Sequence, residues 1–121
     1  MSRIRGTNTK PELAMMEALR AMGLHSERHA RDLPGCPDFV FREARVAVFV
    51  DGDFWHGRKF HEWRHKLSEK WEAKIEATRR RDRKVRRQLR MAGWVVVPLW
   101  EYDIGRSAEA CAKRIKRVVA K

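Results

Sequence analysis

Cysteine is scarce in this chain: the two present, Cys36 and Cys111, lie far apart and show no metal-type pairing. That excludes a disulfide-stapled scaffold, and in a cytosolic chain both are expected as reduced thiols. No long apolar span occurs, so no membrane-crossing helix is expected. Met1–Lys10 is polar and lacks an apolar core, so no secretory leader is expected either. Internal repeats and low-complexity linkers are missing. At 121 residues the chain is long enough for one hydrophobic core and too short for two. Residues 1–121 are therefore expected to form a single domain.

Acidic residues are also in short supply. The chain has 28 Lys and Arg against 16 Asp and Glu, a net charge of +12. A field of that sign suits a polyanion, and nucleic acid is the first candidate partner. An anionic membrane surface is the rival. It ranks lower because neither terminus carries a basic amphipathic helix with a Trp/Phe/Leu face.

What is there centres on Pro37–His56. Two short runs rich in Val and Phe, Phe39–Phe41 and Val46–Val50, flank a tight polar turn and read as a β-hairpin. Asp38 opens the first run and Asp51 closes the second. In an antiparallel pair the start of one strand lies beside the end of the next, so both carboxylates are expected at one sheet edge. Oxygen ligands converging on a point suit a hard cation such as Mg²⁺. Burial of either acid against a permanent Arg or Lys partner would argue against a metal-dependent enzyme at this edge altogether. Phe54, Trp55 and His56 follow directly, more chemistry than a hairpin needs in order to fold.

Around the hairpin, Thr9-Lys10-Pro11-Glu12 reads as a capping box opening a helix over Lys10–Met22, with Leu13, Met16, Leu19 and Met22 as its apolar face and Gly23 as its cap. Leu24–Arg31 alternates weakly and suggests an edge strand. Leu33-Pro34-Gly35-Cys36-Pro37 is a turn-rich loop. Gly57–Lys66 reads as loop or irregular helix. Ser68 caps a long helix to Met91 in which Trp71, Ile75, Thr78, Asp82, Val85 and Leu89 share one face. Its other faces carry Arg79, Arg80, Arg81, Arg83, Lys84, Arg86, Arg87 and Arg90. Trp94–Trp100 is an apolar run suited to a strand covered on both faces and parallel to Val46–Val50. Ala108–Ala120 closes the chain as a helix with Ile115, Val118 and Val119 inward. The sum is an α/β fold of order α-β-β-β-α-β-α, a mixed central sheet flanked by helices on both faces.

Each feature has a plainer reading. Glu12 is a helix cap or a site acid, and Asp38 a turn residue or a ligand. Asp53 is a third acid or the polar half of an Asp-Gly-Asp turn. Phe54-Trp55 is core, or a half-exposed wedge that stacks on bases. His56, His61 and His65 raise zinc, but no cysteine is nearby to complete a site. The arginines form a solvated face, or a grip on phosphates that relieves their mutual repulsion.

Leu33-Pro-Gly-Cys-Pro-Asp-Phe-Val, Val48-Phe-Val-Asp-Gly-Asp-Phe-Trp-His-Gly, Trp71-Glu-Ala-Lys-Ile and Gly93-Trp-Val-Val-Val-Pro-Leu-Trp-Glu together resemble the very short patch repair (Vsr) endonucleases. These belong to the PD-(D/E)xK nuclease superfamily, whose fold is restriction endonuclease-like. The similarity runs from about Arg5 to Ile104. It implies an Mg²⁺-dependent endonuclease that nicks one strand of double-stranded DNA beside a T·G mismatch, with Mn²⁺ as a substitute ion. It further implies Asp38 as metal-bridging aspartate, Glu12 as the acid on the first helix, Asp51 at a second active-site position, the Val50 carbonyl as a backbone metal ligand and His56 as catalytic histidine. Phe54, Trp55 and Trp71 match the wedging aromatics. The family usually carries a structural zinc, yet Asp53, Arg58, Phe60 and Tyr102 stand where its ligands belong, so no structural zinc is expected. The superfamily lysine is missing as well.

The expected activity is therefore Mg²⁺-dependent phosphodiester hydrolysis, with Asp38, Asp51, His56 and Glu12 catalytic and with Asp38, Asp51 and Val50 holding metal. Phe54, Trp55, Trp71, Arg79, Arg80, Arg83 and Arg87 are the expected DNA contacts. A monomer in the nucleoid-associated cytoplasm is expected. The alternatives are a DNA-binding module with a degenerate site, a nickase without mismatch specificity, and a protein that offers its positive face to an acidic partner.

Overall fold

The computed structural model describes residues 9–52, 60–64 and 68–120, with backbone only at 60 and 61. Its elements run α1 (Lys10–Ala21), β1 (Glu27–Arg28), β2 (Phe39–Phe41), β3 (Val46–Asp51), α2 (Phe60–Trp63), α3 (Glu69–Met91), β4 (Val95–Trp100), α4 (Glu101–Arg106) and α5 (Ala108–Val119). The sheet order is β1-β2-β3-β4, antiparallel at the first two pairings and parallel between β3 and β4. This is the expected mixed sheet, reached with two additional short helices. Among the described residues no helix is long and apolar enough to cross a membrane.

Strand alternation splits the core. Phe39, Phe41, Val46, Val48, Val97 and Leu99 face α1, α4 and α5, where Met15, Leu19, Ile104, Cys111, Ala112 and Ile115 meet them. Ala47 and Phe49 face the other way, toward Leu89 and Val85 of α3. Ile75 is fully buried on the same helix. Ser68 caps α3 and Thr9 caps α1, each accepting a hydrogen bond from the backbone N–H three residues on.

Three expectations shift. The inward face of α1 is Glu12, Met15 and Leu19, while Leu13 is exposed, so the stripe is rotated about the helix from the one expected. Only one face of β4 is fully covered: Val97 and Leu99 are buried, whereas Val96, Pro98 and Trp100 are half-buried and Val95 is exposed. The reason is position, because β4 is the sheet's edge strand, which also accommodates Pro98. Within the basic helix, Arg86 turns inward rather than to solvent.

Gly35 fixes how the 31–37 loop enters β2. Its φ is +76, and a Cβ there would lie 2.5 Å from Val85 and 3.1 Å from Phe49. Only glycine allows the loop to pass this close to α3 in that conformation.

Candidate metal centre and nucleic-acid face

Asp38 sits where the loop becomes β2. Its backbone N–H donates to the Val48 carbonyl at 2.9 Å, continuing the β2–β3 ladder by one residue. Its side chain takes up the next ladder position: the Val50 N–H donates to Asp38 Oδ2 at 2.7 Å. The N–H and C=O of one strand residue point to the same side, so the Val50 carbonyl faces the same rim. With Oδ2 engaged, Oδ1 is turned toward α1 and the end of β1.

Two further groups wait there. Glu12, on the first turn of α1, is 4% exposed although it is an acid. Its Oε1 accepts from Arg28 Nη2 at 3.1 Å and lies 2.9 Å from His29 Nε2. Arg28 is itself held by Met16 Sδ at 3.1 Å and by the Phe39 ring at 4.8 Å. His29 Nε2 is also 3.9 Å from Asp38 Oδ1. One ligand atom each from Glu12, His29 and Asp38 thus falls within 4.8 Å of the others. Thr9 Oγ1 accepts from the Glu12 N–H, so Thr9 does the capping while the Glu12 carboxylate enters this cluster.

Sequence reasoning missed His29. Its signal lies in the pairing register: Arg28 faces Phe39, so the next residue must face Asp38. The His29 N–H indeed donates to the Asp38 carbonyl at 3.2 Å, and its φ of 51 turns the chain there.

Burial pushes the Asp38 carboxyl up to about 6. The Val50 hydrogen bond and the His29 charge oppose this, while the charges of Glu12 and Asp51 add to it. An acid raised by desolvation and by neighbouring acids gains from a cation. Two carboxylates, an imidazole and a backbone carbonyl at one rim form a donor set that fits a divalent ion.

Asp51 stands differently. It is 3% exposed at the end of β3, and Arg86 Nη2 donates to its Oδ1 at 2.6 Å. The Arg86 guanidinium also lies 4.6 Å from the Phe49 ring centroid. The structure therefore brings Glu12, His29 and Asp38 together and gives Asp51 an arginine partner.

On α3, Arg80, Arg83 and Arg87 are exposed and Arg79 is half-buried. Arg79 and Arg83 precede Arg86 by two turns and one, which places them on the side of α3 nearest Asp51. Acids of α3 are answered in part from outside the helix, since Arg64 bridges Glu72 at 2.6 Å and Glu76 at 3.2 Å, while Arg80 of α3 lies 3.9 Å from Glu76. Trp71 is 40% exposed, with Lys74 5.4 Å from its ring centroid. Tyr102 is likewise exposed, with Arg106 over its ring at 5.8 Å. Asp53, Phe54, Trp55, His56, Arg58 and His65 lie outside the described residues, as do the side chains of Phe60 and His61.

Against this geometry stand the comparisons with known proteins. The family model described as DNA mismatch endonuclease Vsr matches residues 1–63. The type II nicking enzyme V.NmeDIP of Neisseria meningitidis serogroup C is 40% identical over 114 residues, covering 92% of this chain and 77% of its own length. The type II nicking enzyme V.XorIIP of Xanthomonas oryzae pv. oryzae is 37% identical over 106 residues, covering 86% and 78%. The DNA mismatch endonuclease Vsr of Escherichia coli is 33% identical over 103 residues, covering 84% and 66%.

Proposed function

Because this chain belongs to the Vsr family of DNA endonucleases, we propose that it nicks one strand of duplex DNA at or near a T·G mismatch, using a divalent metal ion, Mg²⁺ or Mn²⁺, at the rim where β2 begins and β3 ends. The observation that carries this reading is the convergence of Glu12, His29 and Asp38 within 4.8 Å. Relatives named as nicking enzymes and as a mismatch endonuclease support strand nicking as the outcome.

On this reading Asp38 and the Val50 carbonyl hold the ion, and Glu12 completes the anionic wall with Arg28 keeping it in place. A divalent ion so held supplies charge against the scissile phosphate and acidifies water. His56 takes up a proton or assists the leaving oxygen, because an imidazole titrates near working pH. Phe54, Trp55 and Trp71 stack against bases, while Arg79, Arg80, Arg83 and Arg87 grip the backbone without reading sequence. Repair of such mismatches belongs to the nucleoid-bearing cytoplasm, with the protein acting as a monomer.

The test is cleavage of end-labelled duplexes, matched and T·G-mismatched, with Mg²⁺, with Mn²⁺ and with chelator. One nick on one strand of the mismatched duplex, lost with chelator and lost in Asp38→Asn, is expected. No cutting, or equal cutting by Asp38→Asn, removes the proposal; equal cutting of matched duplex removes mismatch specificity alone.

One observation favours a second reading. With Asp51 paired to Arg86, one expected metal acid is engaged elsewhere, as in a DNA-binding module that has lost its chemistry. Calorimetric titration with Mg²⁺ separates the two, since such a module binds DNA and no ion.

A further inference from the structure

We propose that His29 is a direct ligand of the ion, so that the centre is a mixed nitrogen–oxygen site rather than an all-oxygen one. The inference rests on the metal-dependent reading above and adds to it a residue from β1's edge. Ligands around one octahedral ion sit about 2.1 Å from it, hence about 3 Å apart at right angles and about 4.2 Å apart when opposite. His29 Nε2 lies 2.9 Å from Glu12 Oε1 and 3.9 Å from Asp38 Oδ1, both within that span, and the three groups' ligand atoms all fall within 4.8 Å of one another, a little wider than a bound ion would draw them. A salt link between His29 and Glu12 alone does not require Asp38 to close the triangle from a third element.

The surroundings hold the imidazole in this place. The His29 backbone N–H is fixed to the Asp38 carbonyl at 3.2 Å, and Ala30 N–H to the Pro37 carbonyl at 3.2 Å. His29 and Asp38 are therefore cross-strand neighbours and move as one unit. His29 Nε2 stands at hydrogen-bond distance, 2.9 Å, from Glu12 Oε1. With the proton on Nδ1, the Nε2 lone pair faces the ion from the same position.

The consequence is ion preference. Imidazole is a poor ligand for Mg²⁺ and a good one for first-row transition ions. A site with His29 in its donor set favours Mn²⁺ over Mg²⁺ more than Asp38, Glu12 and a carbonyl would alone.

Electron paramagnetic resonance of bound Mn²⁺ tests this without reference to activity. Spin-echo modulation of the wild-type protein should show coupling to one imidazole ¹⁴N, and growth with ¹⁵N-histidine should shift that coupling to ¹⁵N frequencies. The coupling should vanish in His29→Asn and persist in His56→Gln. Asparagine is chosen because it tolerates the left-handed backbone at His29 and is too short to replace the ring. His29→Asn should also weaken Mn²⁺ binding on the order of tenfold and Mg²⁺ binding less. Coupling that survives in His29→Asn and is lost in His56→Gln overturns the proposal in favour of His56. Asp38-dependent Mn²⁺ binding with no nitrogen coupling in wild type overturns it too, leaving His29 as a hydrogen-bond partner of Glu12. The labelled wild-type spectrum decides this second case even if His29→Asn does not fold. Failure of wild type to bind Mn²⁺ at all would sink the metal-dependent reading itself, a result distinct from the other two.

Discussion

The Val50 N–H donates to Asp38 Oδ2 at 2.7 Å, so a carboxylate fills the ladder position that a backbone carbonyl would otherwise take. This holds Asp38 in a half-buried place where charge is costly, and its carboxyl rises to about 6 from the ordinary 3.8. The native state therefore binds more protons than the unfolded chain between these values, and stability falls as pH rises through that window. At neutral pH the loss is on the order of 2–3 kcal/mol. Thermal melts of the metal-free protein should show a midpoint falling from about pH 4 to pH 6. In Asp38→Asn, whose amide oxygen still accepts from Val50, this component of the slope should disappear.

Metal binding should follow the same carboxyl in the opposite sense. A divalent ion competes with the proton on Asp38, so affinity should drop about tenfold per pH unit below 6 and level off above it. Calorimetric titration with Mn²⁺ at pH 5, 6 and 7.5 checks this. A flat affinity across that range would mean that the ion does not touch Asp38.

The Asp51–Arg86 pair, at 2.6 Å with side-chain exposures of 4% and 13%, couples the end of β3 to the C-terminal part of α3. Removing the cation strips a buried carboxylate of its arginine partner, whereas removing both charges does not. Arg86→Leu should cost about 3–5 kcal/mol in urea unfolding. The double variant Arg86→Leu/Asp51→Leu should recover most of that. If Arg86→Leu alone costs less than about 1 kcal/mol, Asp51 is satisfied by other neighbours.

Much of this arrangement is legible in the sequence. Val- and Phe-rich runs around a polar turn give the hairpin, and the acids bounding it mark the rim. Thr9 and Ser68 mark where the helices start, because their side chains satisfy first-turn backbone N–H groups that have no partner within the helix. What stays hidden depends on contacts distant in sequence. Asp51 and Asp38 look equivalent as strand-end acids, yet only the packing of α3 against Phe49 delivers an arginine to Asp51. His29 follows a strand of two residues, too short for alternation to reveal, and its place beside Asp38 appears only once β1 is registered on β2. The inward face of α1 was displaced for a similar reason: Glu12 is polar in the sequence but buried by Arg28 and His29.

The exposed arginines of α3 carry the last prediction. Arg80, Arg83 and Arg87 stand in solvent with formal charges that a duplex backbone would neutralise. Each phosphate so contacted releases condensed counterions and adds about 0.9 to the slope of log affinity against log salt. Replacing all three by Gln should lower the slope measured by fluorescence anisotropy by about 2–3. Asp38→Asn, which removes a rim acid and no cation, should leave the slope near the wild-type value. Should the triple variant keep the wild-type slope, the duplex lies on another face of the molecule. Should binding be nearly independent of salt in every variant, the positive charge serves an acidic protein rather than DNA. The salt slope thus separates the grip of α3 from the chemistry at Asp38, two functions that a cleavage assay alone reads as one.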